Sequence, residues 1–373
     1  MKDKYPLYFE NLDALRFFCF LSVFFYHGFY SEFSYIADDP FYRSLKTFFS
    51  NGMLGVNFFF VLSGFLITYL LIKEKTLTNK VDIFKFYLRR ILRIWPLYFF
   101  CVLFGFFIFP LIKHLYGIAS IEPAHMWIYF AFVNNFELIN NILPDCSTLG
   151  ILWSLAIEEQ FYFIWPLLIT IIPVKYYKYL FILIVSISLG FRIYYDNQLM
   201  HDFHSLSCMN DMAIGGLGAF LMIRNSSFSS YISHLPKYFT ALLYVLLFII
   251  FFYRSDIISI DYVRPFERLI TSIVFLFILL EQSFSHNSFF KVGKIMYITN
   301  IGKISYGLYC LHMIAILITL KITSALGINK HMWEVIILET VLALLITILI
   351  SKISYKYYES PFLKLKDKFK SIS

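Results

Sequence analysis

"NLDALRFFCFLSVFFYHGF", residues 11–29, is apolar enough to cross a membrane as a helix, yet it carries Arg16 near one end and His27 near the other. Eleven helical residues, at about 100° each, return to within about 20° of the starting direction and rise about 16 Å. Arg16 and His27 therefore share one helix face and can line one cavity, Arg16 about a turn from the inner surface and His27 towards the outer end. Snorkelling to headgroups accounts for an isolated Arg16, and an interfacial position for an isolated His27. An arginine in mid-helix costs about 2.5–3.5 kcal/mol on insertion scales, so a pair on one face points to function.

The rest of the chain fits a membrane reading. Of 373 residues, 59% are hydrophobic and only 15% charged, more apolar surface than a soluble domain of this length hides. Runs such as "LYFFCVLFGFFIFPLI" (97–112) and "YFTALLYVLLFIIFFY" (238–253) approach the roughly 20 residues that span hydrocarbon. The expected fold class is all-α: a polytopic integral membrane protein with about ten transmembrane helices, at 12–31, 52–72, 94–113, 153–173, 179–195, 211–223, 239–253, 265–284, 304–322 and 333–351. The whole chain, 1–373, reads as one membrane domain. At the start, Glu10 and Asp13 interrupt the basic residues and no small-residue cleavage site follows, so the first helix is expected to be retained.

With the N-terminus inside, most of the 32 Lys and Arg fall on the cytoplasmic side, as the positive-inside rule demands, and both termini are expected there. The net charge of +8 therefore reports orientation rather than a nucleic-acid partner. The stretch "HMWIYFAFVNNFELINNILP" (125–144) is long enough to cross but is interrupted by Asn134, Asn135, Glu137, Asn140 and Asn141. A crossing there would put "KYYK" and the basic tail outside, so an external interfacial or re-entrant segment is expected. Cys146 and Cys208 then both lie outside, where a disulfide between them is permitted. No inverted half-to-half similarity of the transporter kind is evident.

The Arg, ten residues, His pattern resembles the first helix of acyltransferase family 3, integral-membrane enzymes that move acyl groups onto carbohydrates. Five further stretches resemble that family in order. "LGVNFFFVLSGFLIT" (54–68) carries Gly55, Phe59, Ser63 and Gly64. "FYLRRILRIWPLY" (86–98) carries Arg90, Arg93 and Pro96, and "LWSLAIEEQFYFIWP" (152–166) singles out Glu158 over Glu159. "ISYGLYCLHM" (304–313) reaches His312, and "YYESPF" (357–362) closes the chain. The similarity runs from about residue 8 to 362, with departures at Asn57, at Cys310 and just before Asp211. It implies the stand-alone form, without an appended extracellular domain.

The resemblance implies an enzyme of the cell (inner, cytoplasmic) membrane that transfers an acyl group, most simply acetyl, from cytoplasmic acyl-CoA to a hydroxyl of a cell-surface carbohydrate or its lipid-linked precursor. Acyl-CoA (acetyl-CoA) would be the donor substrate, the bilayer and a carbohydrate acceptor the partners, with no nucleic acid and no metal. His27 is the candidate base, since a neutral imidazole can take the acceptor proton and return it to the departing thiolate; a covalent acyl-histidine is the alternative. Arg90, Arg93 and Arg16 suit the carrier's phosphates, although any cytoplasmic loop holds such charges. Glu158 either orients His27, binds the acceptor sugar or caps its helix. His312 reads equally as a satisfied buried histidine. Gly55, Ser63 and Gly64 read as small residues that pack the second helix on the first, and Asp13 as an ion-pair partner of Arg16. The competing function is a transporter or channel with Arg16 and His27 on its pathway.

Overall fold

The computed structural model describes residues 8–369; residues 1–7 and 370–373, with the terminal lysines used in the charge argument, lie outside the described residues. Within them the chain is helical, and no strand forms. The ten long helices are α1 (Glu10–His27), α2 (Leu54–Thr78), α3 (Ile83–Leu103), α4 (Trp153–Ile171), α5 (Tyr177–Tyr194), α6 (Ser205–Arg224), α7 (Lys237–Ile258), α8 (Arg264–Phe284), α9 (Ser305–Leu326) and α10 (Thr340–Ile353). One of them lies over each expected span. By length and apolarity alone, seven of the described helices can cross a membrane, those containing α2, α3, α5, α6, α7, α9 and α10. The other three, α1, α4 and α8, carry Asp13 and Arg16, Glu158 and Glu159, and Glu267, Arg268 and Glu281. This is a multi-pass membrane protein.

Local signals set several ends. Asp82 accepts a hydrogen bond from the Lys85 N–H at 3.0 Å and caps α3, satisfying one of the N–H groups a helix start leaves open. At the other ends, α2 stops on Asn79 and α9 on Gly327, both with left-handed backbone, the usual way to break a helical ladder. Helix α3 begins at Ile83, well before the span expected at 94–113, and continues through a π-helical turn (Phe104–Ile108) to Leu115. The 125–144 stretch breaks into two helices of five residues, Met126–Phe130 and Asn135–Ile139, each about 7 Å long and far too short to cross.

Helix α2 is the centre. Its apolar segment is almost wholly buried, whereas α7 turns Leu242, Val245, Ile249 and Phe252 outward as a lipid face. Close backbone crossings hold α2 in place. A Cβ on Gly55 would sit 2.4 Å from the Cys19 carbonyl of α1, and one on Gly64 would sit 2.1 Å from the Met212 carbonyl of α6. Gly215 of α6 returns the contact, with a Cβ position 2.0 Å from the Val61 carbonyl. Without a hydrophobic effect between helices in lipid, such close approach supplies much of the packing energy. The small-residue expectation is thus corrected at two positions: only Gly55 packs on α1, Gly64 packs on α6, and Ser63 faces α4.

The Cys146–Cys208 disulfide that the topology permits is not formed. All five cysteines are free and buried, and the Cys208 thiol donates to the Asp202 carbonyl at 3.3 Å. Buried ionic contacts tie α5, α6 and α8 together instead. Arg268 of α8 makes two hydrogen bonds to Asp211 of α6, at 2.7 and 3.0 Å, both side chains being buried. Arg192 of α5 donates to the carbonyls of His201, Arg264 and Pro265. Buried charges persist only when paired in this way.

Candidate active site

Two cavities flank α1, one at the Arg16 end and one at the His27 end. The first has a volume of about 160 Å³ and is lined by Arg16, Arg90, Arg93, Ser63, Glu158 and Tyr162, with Ser154 and Tyr309 at its far wall. Because α3 starts early, Arg90 and Arg93 stand on a helix and face the same space as Arg16. Asp13, itself buried, holds one Arg16 nitrogen at 2.5 Å and accepts from the Tyr8 hydroxyl at 2.7 Å. The rest of the Arg16 guanidinium is left to the cavity. Arg90 lies over the rings of Phe86 and Tyr162, at 5.4 and 5.3 Å, and its buried Nε has no hydrogen-bond partner. Three guanidinium groups around so small a space repel one another unless an anion joins them.

Glu158 belongs to this cavity. The hydroxyls of Ser63 and Tyr162 both donate to its Oε1. Its neighbour Glu159 turns away and accepts from the Trp95 indole at 2.9 Å. Glu158 lies more than a turn inside α4, and the packing of α4 on Ser63 of α2 fixes its direction. His27 has other partners, so the expectation that Glu158 orients His27 is corrected.

The partner of His27 is His312 of α9. His312 Nε2 lies 3.2 Å from His27 Nδ1, and His312 Nδ1 lies 2.6 Å from the Tyr309 carbonyl. A carbonyl only accepts, so His312 carries its proton on Nδ1 and presents a lone pair at Nε2. His27 Nδ1 faces that lone pair and, at 3.1 Å, the Val23 carbonyl. It must therefore be the protonated nitrogen, which leaves His27 Nε2 as a free base. His312 is buried completely, between the edges of Phe20 and Phe24.

His27 also lines the second cavity, of about 490 Å³, with Tyr30, Glu32, Lys321, Asn329 and Glu339. Tyr309 links the first cavity to the histidine pair: its hydroxyl hydrogen-bonds Ser154 at 2.6 Å on the wall of the first, while its carbonyl holds His312. The closing "YYESPF" segment serves the first cavity from behind. The Tyr358 hydroxyl donates to the Pro96 carbonyl at 3.0 Å, and the Tyr306 hydroxyl to that of Ile94 at 2.6 Å. These bonds tie α3, and with it Arg90 and Arg93, to the 354–359 segment and to α9.

The structure brings Arg16, Arg90 and Arg93 to one cavity and His27 to another, pairs His27 with His312, and adds Tyr162 and Glu339, which the sequence reading did not single out, to the linings. The signal for Glu339 was present, because it is an ionisable residue inside an apolar run.

A family model described as an acyltransferase domain matches residues 9–355. The chain is 29% identical over 380 residues to O-acetyltransferase OatA of Staphylococcus aureus (strain NCTC 8325 / PS 47), covering 96% of this chain and 58% of the relative. It is 28% identical over 387 residues to the putative O-acetyltransferase SACOL0978 of Staphylococcus aureus (strain COL), covering 97% of this chain and 58% of that relative. The chain thus spans less than two thirds of the length of these relatives. No solved structure matches it significantly.

Proposed function

The chain belongs to acyltransferase family 3, and from that premise we propose that it transfers an acyl group, most simply acetyl, from acyl-CoA on the cytoplasmic side to a carbohydrate hydroxyl on the other side of the cell membrane. The observation that carries this reading is that α1 holds Arg16 in a cavity with Arg90 and Arg93 at one end and the lone pair of His27 in a second cavity at the other. Both termini are cytoplasmic in this reading, and ten helices cross.

The donor's phosphates lie against Arg16, Arg90 and Arg93, where guanidinium groups give paired, charge-assisted hydrogen bonds. Glu158, held by Ser63 and Tyr162, keeps that arginine set spaced. The pantetheine arm runs along α1 past Tyr309, over the roughly 16 Å between Arg16 and His27.

The acceptor hydroxyl sits against His27 Nε2. As its oxygen attacks the thioester carbonyl, its proton moves to Nε2, and the His312 lone pair stabilises the imidazolium through His27 Nδ1–H. The C–S bond then breaks, and the imidazolium returns the proton to the thiolate. The products are the acylated sugar and free CoA. General base catalysis of this kind contributes about 10²–10⁴-fold.

The test is transfer of label from acyl-labelled CoA to glycan in sealed, inside-out membrane vesicles. Incorporation that requires external acyl-CoA and is lost in His27→Ala supports the proposal. Transport of a solute without acyl transfer would replace it with the channel reading.

A further inference from the structure

The reading above leaves open what sugar the second cavity accepts, and one buried side chain bears on it. Glu339 is only 6% exposed, yet it lines the same cavity as His27. It closes a π-helical turn, Glu334–Glu339, that precedes α10. Such a turn adds a residue to a helix and is common at functional sites. The turn's other end is anchored, since Glu334 accepts the backbone N–H groups of Lys330 and His331, both at 2.8 Å. Thr323 of α9 donates its hydroxyl to Oε1 of Glu339. The other carboxylate oxygen receives no hydrogen bond from the described residues, and Glu339 lines both the His27 cavity and a smaller one beside it, with Phe24 and Gly28. An intramembrane carboxylate with half its accepting capacity unused is costly unless a ligand completes it.

The remaining polar groups favour one class of ligand. Glu32 lines the cavity with Glu339, against a single cation, Lys321, whose ammonium group is drawn over the Tyr116 ring at 5.6 Å. Ser31, Ser147, Ser324 and Asn329 supply neutral hydrogen-bonding groups, and Tyr30, largely exposed, supplies an aromatic face. Two carboxylates and one withdrawn lysine repel an acidic sugar and accept from hydroxyls.

We propose that Glu339 is an acceptor-binding and specificity-determining residue: its unpaired oxygen accepts a hydrogen bond from a hydroxyl neighbouring the one that is acylated, and the cavity selects an uncharged sugar over a uronic acid. The proposal rests on the acyl-transfer reading.

The experiment measures transfer from labelled acetyl-CoA to a neutral methyl hexoside and to the matching methyl hexuronoside, in membranes holding the full chain. Wild type is expected to favour the neutral acceptor at least tenfold in kcat/KM. Glu339→Gln should raise the KM for the neutral acceptor about tenfold, leave the KM for acetyl-CoA unchanged and narrow the neutral-to-acidic ratio. Thr323→Val, which frees Oε1 but keeps the carboxylate, should shift acceptor KM in the same direction by a smaller factor. Glu32→Gln, at the exposed rim, should narrow the ratio with little change in neutral KM. Wild type that acylates neither sugar nor endogenous glycan would overturn the acyl-transfer reading beneath it. Active wild type whose neutral-to-acidic ratio is the same in Glu339→Gln would overturn the role of Glu339 alone.

Discussion

The cavity at the Arg16 end is small and ringed by three arginines, while the one at the His27 end is three times larger and mixes hydroxyl, amide and carboxylate groups. In the proposed reading the first holds the donor's phosphates and the second a hydroxyl-bearing acceptor. The same helix lines both, and that is the lesson: α1 carries the arginine of one cavity and the histidine of the other.

The sharpest way to break this contrast is at His27, on the wall of the larger cavity. His27→Ala should lower acyl transfer by about 10²–10⁴-fold, with acyl-CoA binding intact as read by isotope displacement from membranes. Unchanged turnover in a correctly inserted variant would remove His27 from the chemistry.

Next comes the charge at the Arg16 end. Replacing Arg90 and Arg93 together by Gln should raise donor KM about 100-fold, from the loss of charge-assisted hydrogen bonds worth about 1.5–3 kcal/mol each, and leave acceptor KM alone. Lys at either position should rescue only partly, because an ammonium lacks the paired geometry. A change in acceptor KM alone would mean that the arginines serve the other side.

His312 offers a finer cut. His312→Phe removes the lone pair behind His27 Nδ1 and should cost about tenfold in kcat with both KM values nearly constant, by the same hydrogen-bond arithmetic. Equal losses in Phe and Gln variants would point to packing rather than proton placement.

The smallest effect expected is at Glu158. Because it sits among the arginines, Glu158→Gln should change donor KM by a few-fold and leave acceptor KM unaltered. An acceptor effect would restore it to the His27 side.

Much of this was legible in one sequence, because helical periodicity is local. Arg16 and His27 share a face by arithmetic alone, and Arg90 and Arg93 join them once α3 starts before its apolar run. The interrupted 125–144 stretch also announces its own breaks through its asparagines and Glu137. What sequence does not carry is rotation about a helix axis set by distant neighbours. His312 meets His27 across 285 positions. Gly64 faces α6, and Glu158 faces the arginines, because of how α2 crosses its neighbours. The cysteines teach the same point: Cys146 and Cys208, which the expected topology puts on one side of the membrane, remain separate, buried thiols. Composition alone likewise passes α2 and α7 as crossing helices and does not pick α1, α4 and α8, in which Asp13, Glu267, Arg268 and Glu281 are buried.

The π-helical turns at either end of α10 carry one more implication. The second, Ser354–Glu359, buries Glu359, which accepts from the Ser354 hydroxyl at 2.9 Å and lies against Gly307 of α9. Each turn holds one residue more than an α-helix needs, and removing one residue from a helix rotates everything beyond it by about 100°. Loss of a single codon within 335–338 would therefore turn Glu339 and α10 by that angle relative to the anchored Glu334, while leaving the apolar length of the segment almost unchanged. The order of hydrophobic residues would look untouched, and the altered choice of sugar would appear in an alignment only as a one-residue gap.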